Sequence, residues 1–236
     1  MLTKKQIQRF KKLQQKKYRS SEGLFVAEGQ KCIEGFVAAG YAIDALFSTL
    51  EAPRWEAQTI ALRQMEQLTF LKNPSPYFGV FQLPKVQKVP PKGWVVALDS
   101  VADPGNLGTI IRLCDWFGVK KIYCSPQTVD CFNPKVVQAC MGSLGRVECL
   151  YTDLVDFLQA TNFRVLGAVL DGSPLPEMAI PKEGVLLMGS ESHGISSDLL
   201  SRLDHRVTIP KYDPENPIDS LNVATALGIF LAQLRM

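Results

Sequence analysis

The sequence predicts an α/β protein: a parallel sheet covered by helices, preceded by a smaller α/β unit. Three observations carry this reading. Short apolar runs alternate with helical patterns from residue 94 onward. The stretch Val86-Gln87-Lys88-Val89-Pro90-Pro91-Lys92-Gly93 reads as a linker, because adjacent prolines fit neither a helix interior nor a central strand. Charge also segregates across it. Residues 1–93 hold 15 basic and 7 acidic side chains, net +8, and residues 94–236 hold 11 and 16, net −5. The expected domains are therefore 1–93 and 94–236.

In the first domain, Lys4 to Lys17 reads as one helix, with Ile7, Phe10 and Leu13 on its inner face. Lys4, Lys5, Arg9, Lys11, Lys12, Lys16, Lys17 and Arg19 all precede the first acid, Glu22. An uninterrupted basic run of this kind points to a polyanion such as nucleic acid, or to a solvated helix that only packs on the body. Leu24–Ala27 reads as a strand, Gln30–Ala39 as a helix, Ile43–Phe47 as a strand, Trp55–Glu66 as a helix and Tyr77–Leu83 as a strand.

In the second domain, strands are expected at Trp94–Leu98, Lys121–Cys124, Val147–Leu150, Arg164–Val169, Gly184–Met188 and Arg206–Ile209. Helices fall at Gly105–Phe117, Pro134–Ala139, Asp153–Thr161, Ser196–Leu203 and Ser220–Leu234. Such alternation argues for a parallel sheet buried on both faces. Ligands of such sheets bind beyond the carboxyl ends of the strands, so the loops after Leu98, Val169, Met188 and Ile209 are the informative ones.

Several function classes are excluded. The chain is 46% apolar with net charge +3, which rules out disorder as its main state. No apolar run approaches the roughly 18–20 residues of a membrane span, and no apolar signal core follows the Lys-rich start. The six cysteines contain no C-x-x-C, and His193 and His205 are the only histidines, so no metal is expected. The thiols read as reduced and mostly buried, in a cytoplasmic protein. G-x-G-x-x-G, G-x-x-x-x-G-K-[ST] and G-x-S-x-G are all absent.

Three loops carry what chemistry there is. In Asp103-Pro104-Gly105-Asn106-Leu107-Gly108-Thr109-Ile110-Ile111-Arg112, Asp103 is an expected helix cap and Pro104 a first-turn proline. Arg112 lies among apolar neighbours, where an arginine calls for an anionic partner. Gly189-Ser190-Glu191-Ser192-His193-Gly194 offers tight turns and one carboxylate, with His193 read as incidental. The third loop joins Ile209-Pro210 to Ser220-Leu221-Asn222-Val223, with Ser220 as the expected cap of the last helix.

Taken in order, these loops resemble the SpoU/TrmH family of S-adenosylmethionine-dependent RNA ribose 2′-O-methyltransferases. The segment Asn106 to Arg112 is similar to N-x-G-x-x-x-R, Gly189 to Gly194 to G-x-E-x-x-G, and Ile209-Pro210 with Ser220 to Val223 to I-P followed by S-L-N-V. Phe25-Val26-Ala27-Glu28-Gly29 resembles the family's substrate-binding domain more loosely. The nine residues from Lys211 to Asp219 make a longer, more acidic link than is usual there, and Ala224 stands where a serine is common.

The resemblance implies a C-terminal trefoil knot, a homodimer, and S-adenosyl-L-methionine held by Ala168, Leu170, Gly189, Ile209, Ser220, Leu221 and Asn222. It makes Arg112 the central catalytic residue, organised by Asn106, Glu191, Ser220 and Asn222, with Glu191 expected to hold Arg112. RNA, ribosomal or transfer, is expected on Lys4, Lys5, Arg9, Lys12, Lys16, Arg19 and Arg146. Two competing readings are a non-catalytic RNA-binding protein that keeps the fold, and a methyltransferase acting on a base. Retention of Asn106, Arg112, Glu191 and Asn222 weighs against the first, and the first motif with Asn222 weighs against the second.

Overall fold

The computed structural model describes residues 2–85, 90–174, 181–213 and 217–235, so residues 86–89 of the expected linker lie outside it. Its first elements are α1 (Lys4–Lys12), α2 (Lys16–Glu22), β1 (Leu24–Glu28), α3 (Gln30–Ala38), β2 (Ile43–Ser48), β3 (Gln58–Thr59), α4 (Leu62–Leu68) and β4 (Tyr77–Gln82). Then come β5 (Trp94–Leu98), α5 (Pro104–Trp116), β6 (Lys121–Cys124), α6 (Pro134–Ala139), β7 (Glu148–Tyr151) and α7 (Leu154–Ala160). The chain continues with β8 (Val165–Pro174), β9 (Gly184–Met188), α8 (Ser197–Leu200), β10 (His205–Thr208) and α9 (Val223–Arg235). These elements form two compact units: Met1–Gln87 with Asp130–Arg146, and Lys88–Val129 with Val147–Met236.

The smaller unit is built on a four-stranded sheet ordered β1-β4-β2-β3. Strand β4 runs antiparallel to both β1 and β2, and β3 adds a short parallel edge. One cluster joins Phe10 and Leu13 to Met65, Leu68, Phe78 and Val80. A second group of rings surrounds Phe25, whose centroid lies 4.9 Å from Phe36 and 4.7 Å from Phe132. Phe132 belongs to the segment 130–146, which supplies α6 and the turn that follows it. That turn passes so close to α3 that a Cβ on Gly35 would lie 2.7 Å from the Gly142 backbone.

The single helix expected over Lys4–Lys17 is two helices, and an arginine explains the break. Thr3 and Gln6 form a reciprocal capping box at the start of α1. The chain then turns at Leu13–Gln15, where Arg19 Nη1 donates to the carbonyls of Leu13 and Gln14, both at 2.8 Å. Arg19 Nε donates to Asp130 at 3.0 Å, and Nη2 contacts the same carboxylate. Arg19 is therefore buried and occupied inside the unit, which corrects its expected place among the RNA contacts. Arg9 is half-exposed but is held by Glu22 at 2.6 Å, with Asp44 3.7 Å away.

The helix expected over Trp55–Glu66 is also corrected. Trp55 and Glu56 adopt left-handed backbone (φ 57° and 55°), Gln58 and Thr59 pair with β2, and helix starts only at Leu62. The Arg54 N–H donates to the Tyr77 hydroxyl at 2.9 Å, and the Trp55 ring packs edge-on against Tyr77. Packing on the β4 side overrides a helical pattern here.

The larger unit is an all-parallel six-stranded sheet ordered β10-β8-β9-β5-β6-β7. Strands β5 and β9 lie at its centre and are buried at all five positions. Asp103 caps α5 as expected, accepting the Asn106 N–H at 2.8 Å. The cap of the last helix is Asn222 rather than Ser220. Asn222 Oδ1 accepts the N–H groups of Ala224 and Thr225 at 3.0 and 3.2 Å, and helix begins at Val223. Strand β8 is longer than expected and its pairing with β10 is interrupted. His205 and Arg206 face Leu166 and Gly167, but Val207 and Thr208 face Ser173 and Pro174.

The Arg19 clamp yields a stability test. Arg19→Leu strands a part-buried carboxylate and two carbonyls, so unfolding by urea should show a loss of about 3–5 kcal/mol. Arg19→Leu combined with Asp130→Leu should recover much of it; equal loss in both variants would assign the cost to packing instead.

Candidate active site

The loops after β5, β8, β9 and β10 all belong to the larger unit. Asp99, directly after β5, is a buried carboxylate that accepts the Ser196 N–H at 2.8 Å and the Ser100 hydroxyl at 3.0 Å. It fixes the start of α8 and so the far end of the loop that carries Glu191. Sequence reasoning passed over Asp99; its signal was an acid at the buried carboxyl end of an apolar strand.

The loop after β9 is a closed turn. Ser190 and Gly194 exchange backbone hydrogen bonds at 3.0 and 2.9 Å, and the His193 N–H donates to the Ser190 hydroxyl at 3.2 Å. Its first residue must be glycine, because a Cβ on Gly189 would lie 2.1 Å from the Gly194 carbonyl carbon, backbone that cannot yield. Glu191, Ser192 and His193 are thereby presented at the tip, with Ser192 Oγ 2.8 Å from His193 Nδ1.

Three of the expected catalytic residues are joined. Asn106 Nδ2 donates to Glu191 Oε1, and Asn222 Nδ2 donates to Asn106 Oδ1 at 2.9 Å. The expected bond between Glu191 and Arg112 is not formed; Glu191 holds Asn106 instead. Arg112 is exposed on α5 and, among the described residues, has no hydrogen-bond or ion-pair partner in the chain. The helix is buried on the side of Leu107, Ile110, Ile111 and Cys114, and Arg112 lies off that side.

Beside this network is a cavity of about 770 Å³. Ala168, Leu170, Gly189, Ile209, Ser220 and Leu221 all line it. Asn222 is not among the lining residues; its amide joins Asn106 and caps α9. Ile218 and Phe230 add apolar wall, and Asp213 and Asp219 from the long acidic link add carboxylates. Asp171 also lines it, bound bidentately by Arg206 Nη2 at 2.6 and 2.7 Å, and that guanidinium holds the carboxyl below its ordinary range. Apolar walls with several carboxylates and a close backbone approach at Gly189 fit a cationic nucleoside such as S-adenosylmethionine. Among the described residues no group of three His, Cys, Asp or Glu side chains could hold a metal ion.

The amide at position 106 gives a pH test. Asn106→Asp sets a second carboxylate against Glu191, and like charges raise the pKa of the pair in the folded state. A raised folded pKa adds stability at low pH that is lost as pH rises through it. Urea unfolding of the variant should therefore show stability relative to the parent falling from pH 5 to pH 8; a pH-independent difference would mean that the two groups do not face each other.

Comparison with known proteins places this geometry. Residues 93–232 match the SpoU rRNA Methylase family, and residues 4–75 match the MRM3-like substrate binding domain. The chain is 28% identical over 241 residues to the 23S rRNA (guanosine(2553)-2′-O)-methyltransferase RlmP of Bacillus subtilis, covering 97% of this chain and 95% of that protein. A TrmH-family protein from Porphyromonas gingivalis is 33% identical, with TM-score 0.88 over 100% of this chain and 98% of its own. The AdoMet-bound rRNA methyltransferase from Sinorhizobium meliloti is 30% identical, with TM-score 0.88 over 100% and 95%. By motif, by fold and by extent of match, the chain belongs to the SpoU rRNA methylase family.

Proposed function

We propose that the protein transfers a methyl group from S-adenosylmethionine to a ribose 2′-hydroxyl of ribosomal RNA, or of transfer RNA. The observation that carries this is the hydrogen-bonded chain Glu191–Asn106–Asn222 beside a carboxylate-lined cavity. A protein that only binds RNA has no use for that chain, and no observation favours the non-catalytic reading.

Bound in the cavity, S-adenosylmethionine supplies an electrophilic methyl group on a cationic sulfur. Ala168, Leu170, Gly189, Ile209, Ser220 and Leu221 hold it. The carboxylates of Glu191, Asp213 and Asp219 favour its positive charge. With no metal required, the protein's task is alignment and handling of one proton. Asn106 fixes the Glu191 carboxylate and the Asn222 amide relative to each other, and Ser220 lies two residues before Asn222. Arg112 takes the RNA phosphate or ribose. A guanidinium offers donors and no acceptor, so it stabilises the developing alkoxide at O2′ rather than serving as a base.

Two further features support the family arrangement. The interrupted β8–β10 pairing supports a trefoil knot, as does Gly172, where a Cβ would lie 2.6 Å from the Val207 backbone. A homodimer is supported by Trp116 at the end of α5, 84% exposed, and by Ile229, 36% exposed, on α9, which packs against α5. A cytoplasmic location follows from the proposed action on ribosomal RNA; among the described residues no helix is long and apolar enough to cross a membrane. In the domain division, residues 1–93 bring RNA, with residues 130–146 completing their compact unit, and the rest of 94–236 carries the methyltransferase site.

The RNA grip lies on Lys4, Lys5, Lys12 and Lys16, all exposed on α1 and α2, with Arg9 and Arg146 as lesser contributors. Lys12 and Lys17 flank the Tyr18 ring at 5.5 and 5.8 Å, so an aromatic face sits among the charges. Removing α1 outright would take Ile7 and Phe10 from the core, so charge substitutions are the cleaner probe.

Labelled S-adenosylmethionine incubated with unmodified ribosomal and transfer RNA should place label in a 2′-O-methyl nucleoside after digestion. Label in a base would overturn the ribose assignment. Arg112→Lys keeps the charge but loses the planar fork, and should lower kcat roughly 10²–10³-fold, as loss of one stabilising donor does; full activity would remove Arg112 from the mechanism. Lys4→Gln, Lys5→Gln and Lys12→Gln together should reduce the salt dependence of RNA affinity by about 2–3 in the log–log slope. S-Adenosylmethionine affinity, read by calorimetry, should not move.

A further inference from the structure

Within the smaller unit lies a second cavity, of about 270 Å³, between β1, the chain after α4, and α6. Phe70, Leu71, Pro134, Val26 and Ala139 give it apolar walls, and Glu28, Gln138 and Lys135 give it polar ones.

Glu28 is the unusual member. It is 5% exposed, and no arginine or lysine pairs with it among the described residues. Its carboxyl accepts the Thr69 hydroxyl through Oε2 and the Phe70 N–H, at 2.7 Å, through Oε1. A carboxylate has about four acceptor sites, so each oxygen keeps a free lone pair. Burial raises its pKa, opposed by those two bonds, as expected of a charge taken from water with only part of its hydration replaced. Gln138 and Lys135 of α6 also line the cavity, and neither side chain has a hydrogen-bond or ion-pair partner among the described residues.

An apolar cavity whose lining holds both an acceptor pair and free donors suits a heterocycle with adjacent N–H donors. Guanine alone among the four RNA bases presents two, N1–H and N2–H, on one edge, with the O6 acceptor beside them. We propose that this cavity receives the unstacked base of a guanosine in the substrate RNA. Glu28 accepts from its N1–H and N2–H, the Gln138 amide donates to O6, Phe70 and Pro134 cover its faces, and Lys135 meets the adjoining phosphate. Sequence-specific reading of RNA works in this way, through splayed bases stacked on apolar side chains and bonded along their Watson–Crick edge. The inference rests on the RNA methyltransferase reading, and assigns to the smaller unit a base-reading role beyond electrostatic grip.

The test uses the full chain with guanosine, inosine, adenosine, cytidine and uridine monophosphates as probes, followed through the backbone amide signals of Phe70, Leu71 and Gln138. Guanosine monophosphate should shift those signals at the lowest concentration. Inosine monophosphate lacks the N2 amino group, loses one bond to a carboxylate, and should bind roughly 10–100-fold more weakly. Ala139→Trp fills the cavity without disturbing Glu28. It should abolish the shifts and raise KM for RNA, while S-adenosylmethionine affinity and Tm stay at parent values.

Equal response to all five nucleotides, or none, would overturn the proposal, as would an unchanged RNA KM in Ala139→Trp. Its failure is distinguishable from failure of the enzymatic reading. A chain that methylates RNA but does not discriminate guanosine loses only the pocket. A chain that discriminates guanosine but transfers no methyl group loses only the reaction.

Discussion

One amide ties together three chain segments of the larger unit. Asn106 gives a hydrogen to Glu191 and takes one from Asn222, partners 85 and 116 positions further along the chain. The polarity of the whole chain follows from its first member. Glu191 as a carboxylate can only accept, so Asn106 must turn its NH₂ toward it, leaving its oxygen for Asn222. Asn222 then points its own oxygen at the free N–H groups of α9. No other side chain of that length supplies both roles at position 106: aspartate lacks the donor and leucine lacks both. A carboxylate, two amides and a helix start thus settle one another's orientation before any substrate arrives.

Three arginines show how environment, not residue type, decides function. Arg19 is enclosed and fully bonded, and it sets the turn between α1 and α2. Arg206 is exposed but bound to Asp171 at the margin of the larger unit's cavity. Arg112 stands on a helix whose other side is core, and it is the one of the three whose fork is left for an outside anion. Of these three guanidinium groups, the fold leaves only that of Arg112 unsatisfied among the described residues.

The sheet of the larger unit was legible because each strand is a short apolar run bounded by turn residues, and parallel burial leaves little else such runs can do. The loop motifs were legible for a different reason: residues 106, 189, 191 and 222 each meet a constraint that few side chains satisfy. What could not be read was set by distant partners. Arg19 looks like its basic neighbours until Asp130 is brought beside it. The helical pattern from Trp55 onward is real as a pattern and loses to pairing of residues 58–59 with β2. Ser220 is as good a cap as Asn222 by residue type, and only the folded chain shows that Asn222 takes the Ala224 and Thr225 N–H groups. Likewise the pocket around Glu28 draws its walls from residues 26 to 139 and has no local signature.

The segment 130–146 has a consequence for how the chain is made. It lies between β6 and β7 in sequence, yet it supplies Asp130 to the Arg19 clamp, Phe132 to the rings around Phe25, and Gly142 to the face of α3. The N-terminal unit therefore has no finished interior when its own strands leave the ribosome. It must wait, with Phe25 and Arg19 uncovered, until Arg146 has been added and β5, α5 and β6 have already emerged. Synthesis from the N-terminus does not deliver the two units one after the other: the first to begin cannot be closed before the second is under way.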